Sequence, residues 1–190
     1  MHKENLVPEE IEYRKVNAIG KFLNNKEIHI TGKTYEGNAG FHVVTPFLMK
    51  NGNYVLVNRG WVSENYKEAN NRRFSLIDEE TSIIGIARYP QKKGYFVPLN
   101  EPENGFWFTI KPIEIKKFLK IEKETFITSF YVDALRQGEK INLPIGIKGK
   151  INVRNQHLSY AITWYSLAIV LMIIYFSYHY SEGKLRIRKL

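Results

Sequence analysis

Cysteine is absent from the 190 residues. Its absence excludes disulfide frameworks, thiolate zinc sites, iron–sulfur clusters and cysteine nucleophiles together. It does not exclude an oxidising compartment, which permits disulfides without requiring them. Aspartate is scarce as well: Asp78 and Asp133 are the two in the chain, which disfavours Mg²⁺ held by carboxylates. There is no glycine-rich phosphate loop, no HExxH and no GxSxG. The five histidines are His2, His29, His42, His157 and His179, and none pair at the spacing of zinc ligands. Glu79–Glu80 and Glu122/Glu124 are carboxylate pairs in polar stretches and read as solvated surface. General acid–base work needs a shifted pKa in a cleft, and no pattern here implies one, so enzymatic activity is not expected.

What is present is positive charge and apolar residues. Lys and Arg number 28 against 19 Asp and Glu, a net charge of +9. The basic residues are 19 Lys and 9 Arg, scattered along the chain. Nucleic-acid sites lean on the bidentate guanidinium, so no nucleic-acid partner is expected. Hydrophobic residues make up 44% and aromatics 14%, enough to build a core.

The apolar residues are unevenly placed. No Asp, Glu, Lys or Arg occurs between Arg154 and Glu182. Within that gap the 21 residues Leu158 to Tyr178 read LSYAITWYSLAIVLMIIYFSY. At about 1.5 Å per residue such a helix reaches roughly 30 Å, the thickness of a bilayer core. Trp164, Tyr165, Tyr175, Tyr178 and Tyr180 lie toward its ends, where interfacial aromatics belong. A transmembrane helix is predicted over 155–180, in contact with membrane lipid. The following tail, 181–190, carries Lys184, Arg186, Arg188 and Lys189 against Glu182 and is expected to be cytoplasmic. Residues 1–154 would then lie on the opposite side. Met1–Gly20 contains no apolar run, so neither a signal peptide nor a first span is expected there.

Residues 1–154 read as a β-rich soluble domain. Tyr13–Leu23 and Lys26–Thr34 alternate in polarity, punctuated by Gly20, Gly32 and Gly37. From His42 to Val62, two apolar runs flank Asn51–Gly52, a strong hairpin signal. Ser82–Tyr89 predicts another strand, and Thr125–Val132 and Ile145–Val153 the last ones. Lys67–Arg73 is polar and predicted to be a loop, as is Gln91–Gly105 with its Pro, Asn and Gly. Pro112–Ile121 predicts a helix, with proline in its first turn and Ile115, Phe118 and Leu119 on one face. The class is α+β: a mainly antiparallel β domain followed by a C-terminal transmembrane helix.

Two features invite a functional reading. Projected at 100° per residue, His157, Ala161, Trp164 and Ala168 share one face of the apolar helix, with Tyr160 at its edge. Ser159, Thr163 and Ser166 share the opposite face. A neutral imidazole beside an aromatic and two small residues suits ligation of porphyrin iron, and the hydroxyl face suits packing on another helix. Equally, His157 and Tyr160 read as ordinary interfacial residues, because histidine at a membrane boundary costs little. His179, past the far end, looks merely interfacial. The second feature is Asn58-Arg59-Gly60-Trp61. It reads as a partner-docking corner or, more economically, as a cation–π or hydrogen-bonded corner closing the sheet, since Gly60 suggests a bend.

Several strings then fall in a fixed order: EYRKVNAIGKFL (12–23), GFHVVTPF (40–47), VLVNRGWV (55–62), FVPLNEPENGFWF (96–108) and NQHLSYAITWYSLA (155–168). In this the chain resembles the Surfeit-locus (Shy-type) cytochrome c oxidase assembly protein family over residues 10–170. The resemblance implies an integral protein of the inner (plasma) membrane, with two spans and a soluble domain on the periplasmic or outer side. It implies a chaperone-like role in building respiratory complex IV, with the oxidase catalytic subunit and the haem a synthesis machinery as partners. Haem a would be held through a histidine opening the second span, which maps to His157, with Tyr160 and Trp164 lining the site. The resemblance also implies a first span, and none is expected within Met1–Gly20. Two other readings stand beside this one: a docking protein for an immature oxidase subunit that holds no haem, and a tail-anchored binding domain.

Overall fold

The computed structural model describes residues 11–90, 94–122, 125–136, 142–148 and 157–184. These form two compact units, one within 1–149 and one within 150–190.

The first unit is a six-stranded sheet. Its strands are β1 (Lys15–Phe22), β2 (Ile28–Tyr35), β3 (Asn38–Met49), β4 (Tyr54–Ser63), β5 (Thr81–Arg88) and β6 (Tyr131–Ala134). The order is β1-β5-β6-β4-β3-β2, and β1 also pairs with β3, so that β1, β5, β6, β4 and β3 close into a ring. The closing contact is Gly20–Phe22 against Phe47–Met49. It needs Gly20, where an added Cβ would lie 2.0 Å from the Leu48 carbonyl oxygen. All pairings are antiparallel except β4–β6. Five strands in this cyclic order, with one parallel pair, make the Greek-key barrel of OB type.

Both faces of β4 are buried, which is why VLVNRGWV reads as a nearly continuous apolar run. Val55 and Val57 point into the ring, where Phe22, Phe47, Ile83 and Val132 meet them, so every ring strand contributes to the interior. Tyr54 and Leu56 point outward and are covered by Trp107, Ile115 and Phe126. The β3–β4 turn is longer than the two-residue type that Asn-Gly favours. Gly52 alone adopts positive φ (82°), while the Asn51 side chain accepts from the Asn53 N–H at 3.0 Å.

Helix α1 runs Pro112–Phe118, three residues short of the predicted end. Lys120 takes φ 51°. Ile121 N–H bonds the Lys116 carbonyl and Lys120 N–H that of Lys117, a Schellman stop completed by burial of Ile121. The strand predicted at Thr125–Val132 is present only from Tyr131. Before it the chain only bridges the end of β4, where Thr125 and Ile127 both bond the backbone of Tyr54, and forms no continuous ladder. Lys67–Arg73 is not a solvated loop: 3-10 turns span Ala69–Ser75, and Arg72 within them is fully buried. Of the other sequence expectations, His2, Glu124, residues 91–93, 149–156 and the tail from 185 lie outside the described residues.

The second unit is helix α2, His157–Ser181, 25 residues long and apolar enough to cross a membrane. At about 1.5 Å per residue it spans roughly 37 Å, and none of its residues is buried within the protein. It ends on a second Schellman motif: Gly183 at φ 67°, with Lys184 N–H on the His179 carbonyl and Gly183 N–H on that of Tyr180.

Candidate functional site

Asn58, Arg59, Gly60 and Trp61 lie at the bulged end of β4, where the register against β3 steps from Asn58↔Val44 to Gly60↔Val43. The bulge leaves Arg59 without a partner in β3. Gly60 has φ 118°, and an added Cβ would sit 2.0 Å from the Ile145 carbonyl oxygen. Only glycine lets the 142–148 segment pass so closely. Trp61 then exchanges two backbone hydrogen bonds with Ile145, at 2.9 and 2.7 Å. Its indole lies over Gly40, where a Cβ would come within 2.7 Å of the ring.

Each side chain of this stretch has a separate surrounding. The Asn58 amide donates to Asp133 Oδ1 at 2.7 Å, lies 3.2 Å from His42 Nδ1, and accepts from the Gly60 N–H at 3.2 Å. With Oδ1 fixed by that N–H, the amide nitrogen faces both neighbours, so His42 Nδ1 accepts and the ring proton sits on Nε2. Burial, and then the Lys33 charge, hold His42 down to about 4, so it is a neutral acceptor at physiological pH. Burial raises the Asp133 carboxyl, partly offset by the Asn58 hydrogen bond and the charges of Arg88 and Lys33.

Arg59 faces the ring interior. Its guanidinium lies 4.6 Å from the Phe22 ring centre and donates to Asn24 Oδ1 at 3.2 Å and to the Ser75 carbonyl at 2.8 Å. The cation–π partner is thus Phe22 of β1, not the neighbouring indole. Burial, then the charge of Arg72, pull Arg59 down to about 10. Arg72 itself donates to Glu27 and to the Tyr66 carbonyl. Burial pushes Glu27 up, but the His29 imidazole 3.5 Å away and the hydrogen bond and charge of Arg72 outweigh it and hold the carboxyl below its ordinary value.

Sequence reasoning singled out Asn58–Trp61 but missed His42, Asp133, Glu27 and Arg72. Asp133 left a signal, one of two aspartates and set in the apolar run YVDA. Arg72 left none, because its polar neighbours resemble a loop.

On α2, His157 is exposed at the first turn, followed by Tyr160 (64% exposed) and Trp164 (69%), with Ala161 between them. His157, Ala161 and Trp164 share a face with Tyr160 at its edge, as the 100° projection requires. On the opposite face, Thr163 donates to the Ser159 carbonyl at 3.0 Å and Ser166 to the Ile162 carbonyl at 2.8 Å. The hydroxyls are satisfied inside the helix, leaving small surfaces free to approach a neighbouring helix.

Residues 2–169 match the sequence profile of the SURF1 family. A SURF1-like protein of Rickettsia conorii is 34% identical over 175 residues, covering 88% of this chain and 70% of that protein. Its counterpart in Rickettsia prowazekii is 34% identical over 189 residues, 93% of this chain and 72% of that one. Surfeit locus protein 1 of Mus musculus is 29% identical over 181 residues, covering 87% of this chain and 57% of the mouse protein. With a matching profile over most of its length and relatives of this similarity, the chain belongs to the SURF1 family.

Proposed function

We propose that this protein is a membrane-bound assembly factor for haem-copper cytochrome c oxidase, without enzymatic activity of its own. On this reading it assists insertion of haem a into the catalytic subunit by holding the haem transiently through His157. Membership of the SURF1 family is the observation that carries the reading. The residues suit the cargo. His157 is exposed and offers an imidazole nitrogen to iron. Ala161, one turn on, presents a methyl group that leaves room for a flat ring, and Tyr160 and Trp164 supply aromatic walls. The Ser159, Thr163 and Ser166 face would receive a second helix. Anchoring is in the inner or plasma membrane, with the β unit on the periplasmic or outer side and the basic tail cytoplasmic, as the Lys and Arg of 184–189 favour. The partners are the oxidase catalytic subunit and the haem a synthesis machinery.

The test is an absorption spectrum of the detergent-purified protein from cells that make haem a, beside His157→Ala. A haem spectrum lost in the variant, with the melting of the β unit unchanged, supports the reading. A full spectrum retained in the variant refutes ligation by His157. A docking role without haem predicts something else: no spectrum in either protein, and co-purification of an oxidase subunit that His157→Ala leaves intact.

A further inference from the structure

The ring interior opens at the Arg59 end into a groove of about 630 Å³, a size typical of small-molecule sites. Phe22 and Ile83 form its floor, Phe74 and Leu143 stand at its sides, and Arg59 and Arg136 supply its charge. Among the described residues lining it there is no Asp or Glu. Arg59 is 6% exposed, yet its two side-chain hydrogen bonds go to neutral oxygens, an amide and a backbone carbonyl. The acids closest to it in its network are committed elsewhere. Asp78 accepts from the other end of the Asn24 amide, and Glu27 is engaged by Arg72 and His29. A buried guanidinium that no carboxylate hydrogen-bonds, with the Glu27 charge acting on it only from a distance, is costly to hold in a fold. Here the cost falls at the mouth of a small barrel, beside open apolar surface. Phe74 is 73% exposed at the rim, a large aromatic left in water. A cation in the wall, apolar side chains around it and no acid among the described lining residues together describe one kind of guest.

We propose that the barrel mouth binds a small amphiphile, a single carboxylate carried on an apolar body. The carboxylate sits against the Arg59 guanidinium and the body lies on Phe22, Ile83 and Phe74. Arg59 has N–H groups beyond the two engaged by Asn24 and Ser75, and a carboxylate would receive them as charge-assisted bonds in a water-poor setting. Arg136, across the groove, adds attraction at longer range. A neutral guest of the same shape gains only the apolar contact.

The experiment is equilibrium dialysis of radiolabelled octanoate at pH 7.5 against the full chain in lipid nanodiscs, with empty nanodiscs subtracted. Octanamide is the neutral control. The expected result is saturable octanoate binding, with octanamide and the Arg59→Gln variant each weaker by about tenfold or more, the scale of a lost charge-assisted bond. Arg136→Gln and Phe74→Ala, both at accessible positions, each weaken it several-fold and keep the test open if Arg59→Gln does not fold. The proposal is overturned by octanoate binding no greater than to empty nanodiscs. It is equally overturned if octanamide binds as well as octanoate, or if the folded variants bind like the wild type.

Discussion

Replacing Gly60 with alanine tests whether the bulge of β4 exists to admit the 142–148 segment. Two costs add. The first is backbone strain: at φ 118° an L-residue loses about 1–2 kcal/mol. The second is steric. The new Cβ would lie 2.0 Å from the Ile145 carbonyl oxygen, so that segment must withdraw by more than an ångström. Withdrawal breaks both Trp61–Ile145 hydrogen bonds, at roughly 1 kcal/mol each. The sum is about 3–4 kcal/mol. Gly52→Ala is the internal control, since Gly52 has φ 82° but nothing within 4 Å of its added Cβ, so it pays only the strain. The assay is thermal unfolding of the full chain in detergent, followed by tryptophan fluorescence, to which the buried Trp61 and Trp107 report. At about 3 °C per kcal/mol for a unit of this size, Gly60→Ala should lower Tm by roughly 10 °C and Gly52→Ala by roughly 3–6 °C. If Gly60→Ala cost no more than Gly52→Ala, the close approach of Ile145 would not be what demands glycine, and the reasoning would fail.

Asn58→Ala removes the group shared by Asp133, His42 and the Gly60 N–H; a loss of about 2–3 kcal/mol is expected, and a change under 1 kcal/mol in the same melting assay would contradict the shared role. Glu27→Ala strands the fully buried Arg72 and should cost about 3–5 kcal/mol, much of it regained in Glu27→Ala/Arg72→Met; additive effects in that double-mutant cycle would show the pair to be uncoupled. Acid should weaken the fold through His42. Its folded pKa, about 4, lies below the 6.5 of the free side chain, so the unfolded chain takes the proton first. The contribution is intact above pH 6.5 and lost as pH falls toward 4, by roughly 3 kcal/mol in all. The raised Asp133 carboxyl acts in the opposite sense, so the comparison is wild type minus His42→Gln, measured by urea unfolding from pH 7 to 5; an identical slope in the two proteins would count against His42.

The parts of the fold legible in the sequence are those written in local pattern. The β3–β4 hairpin follows from two apolar runs around Asn51–Gly52, the bend at Gly60 from glycine inside a strand, and α2 from a long uncharged and mostly apolar stretch. What was illegible depends on residues far apart in the chain. Closure of the ring rests on Gly20, whose need for a bare Cα appears only once β3 lies against it. The ring under Arg59 belongs to β1, so a cation next to a tryptophan in sequence pointed to the wrong aromatic. Helix α1 stops at Phe118 because Lys120 turns left-handed, a choice that a lysine does not advertise. The Asn58–Trp61 stretch could be singled out by composition, but its partners, His42, Asp133 and Phe22, come from three other strands.

The parallel pairing of β6 with β4 sets an order of events during synthesis. Strands β1 to β5 are made first, and β1 can already pair with both β3 and β5. Until Tyr131–Ala134 leaves the ribosome, β4 and β5 each present an unpaired edge to the other. A nascent chain at that stage displays two open templates for wrong pairing. Contacts between segments so distant along the chain also form slowly. The strand that seals the ring is the last described before α2, so domain closure and arrival of the apolar helix fall close together in translation. A chain interrupted ahead of Tyr131 is therefore the species most prone to aggregate, and the one a holding chaperone would have most reason to retain.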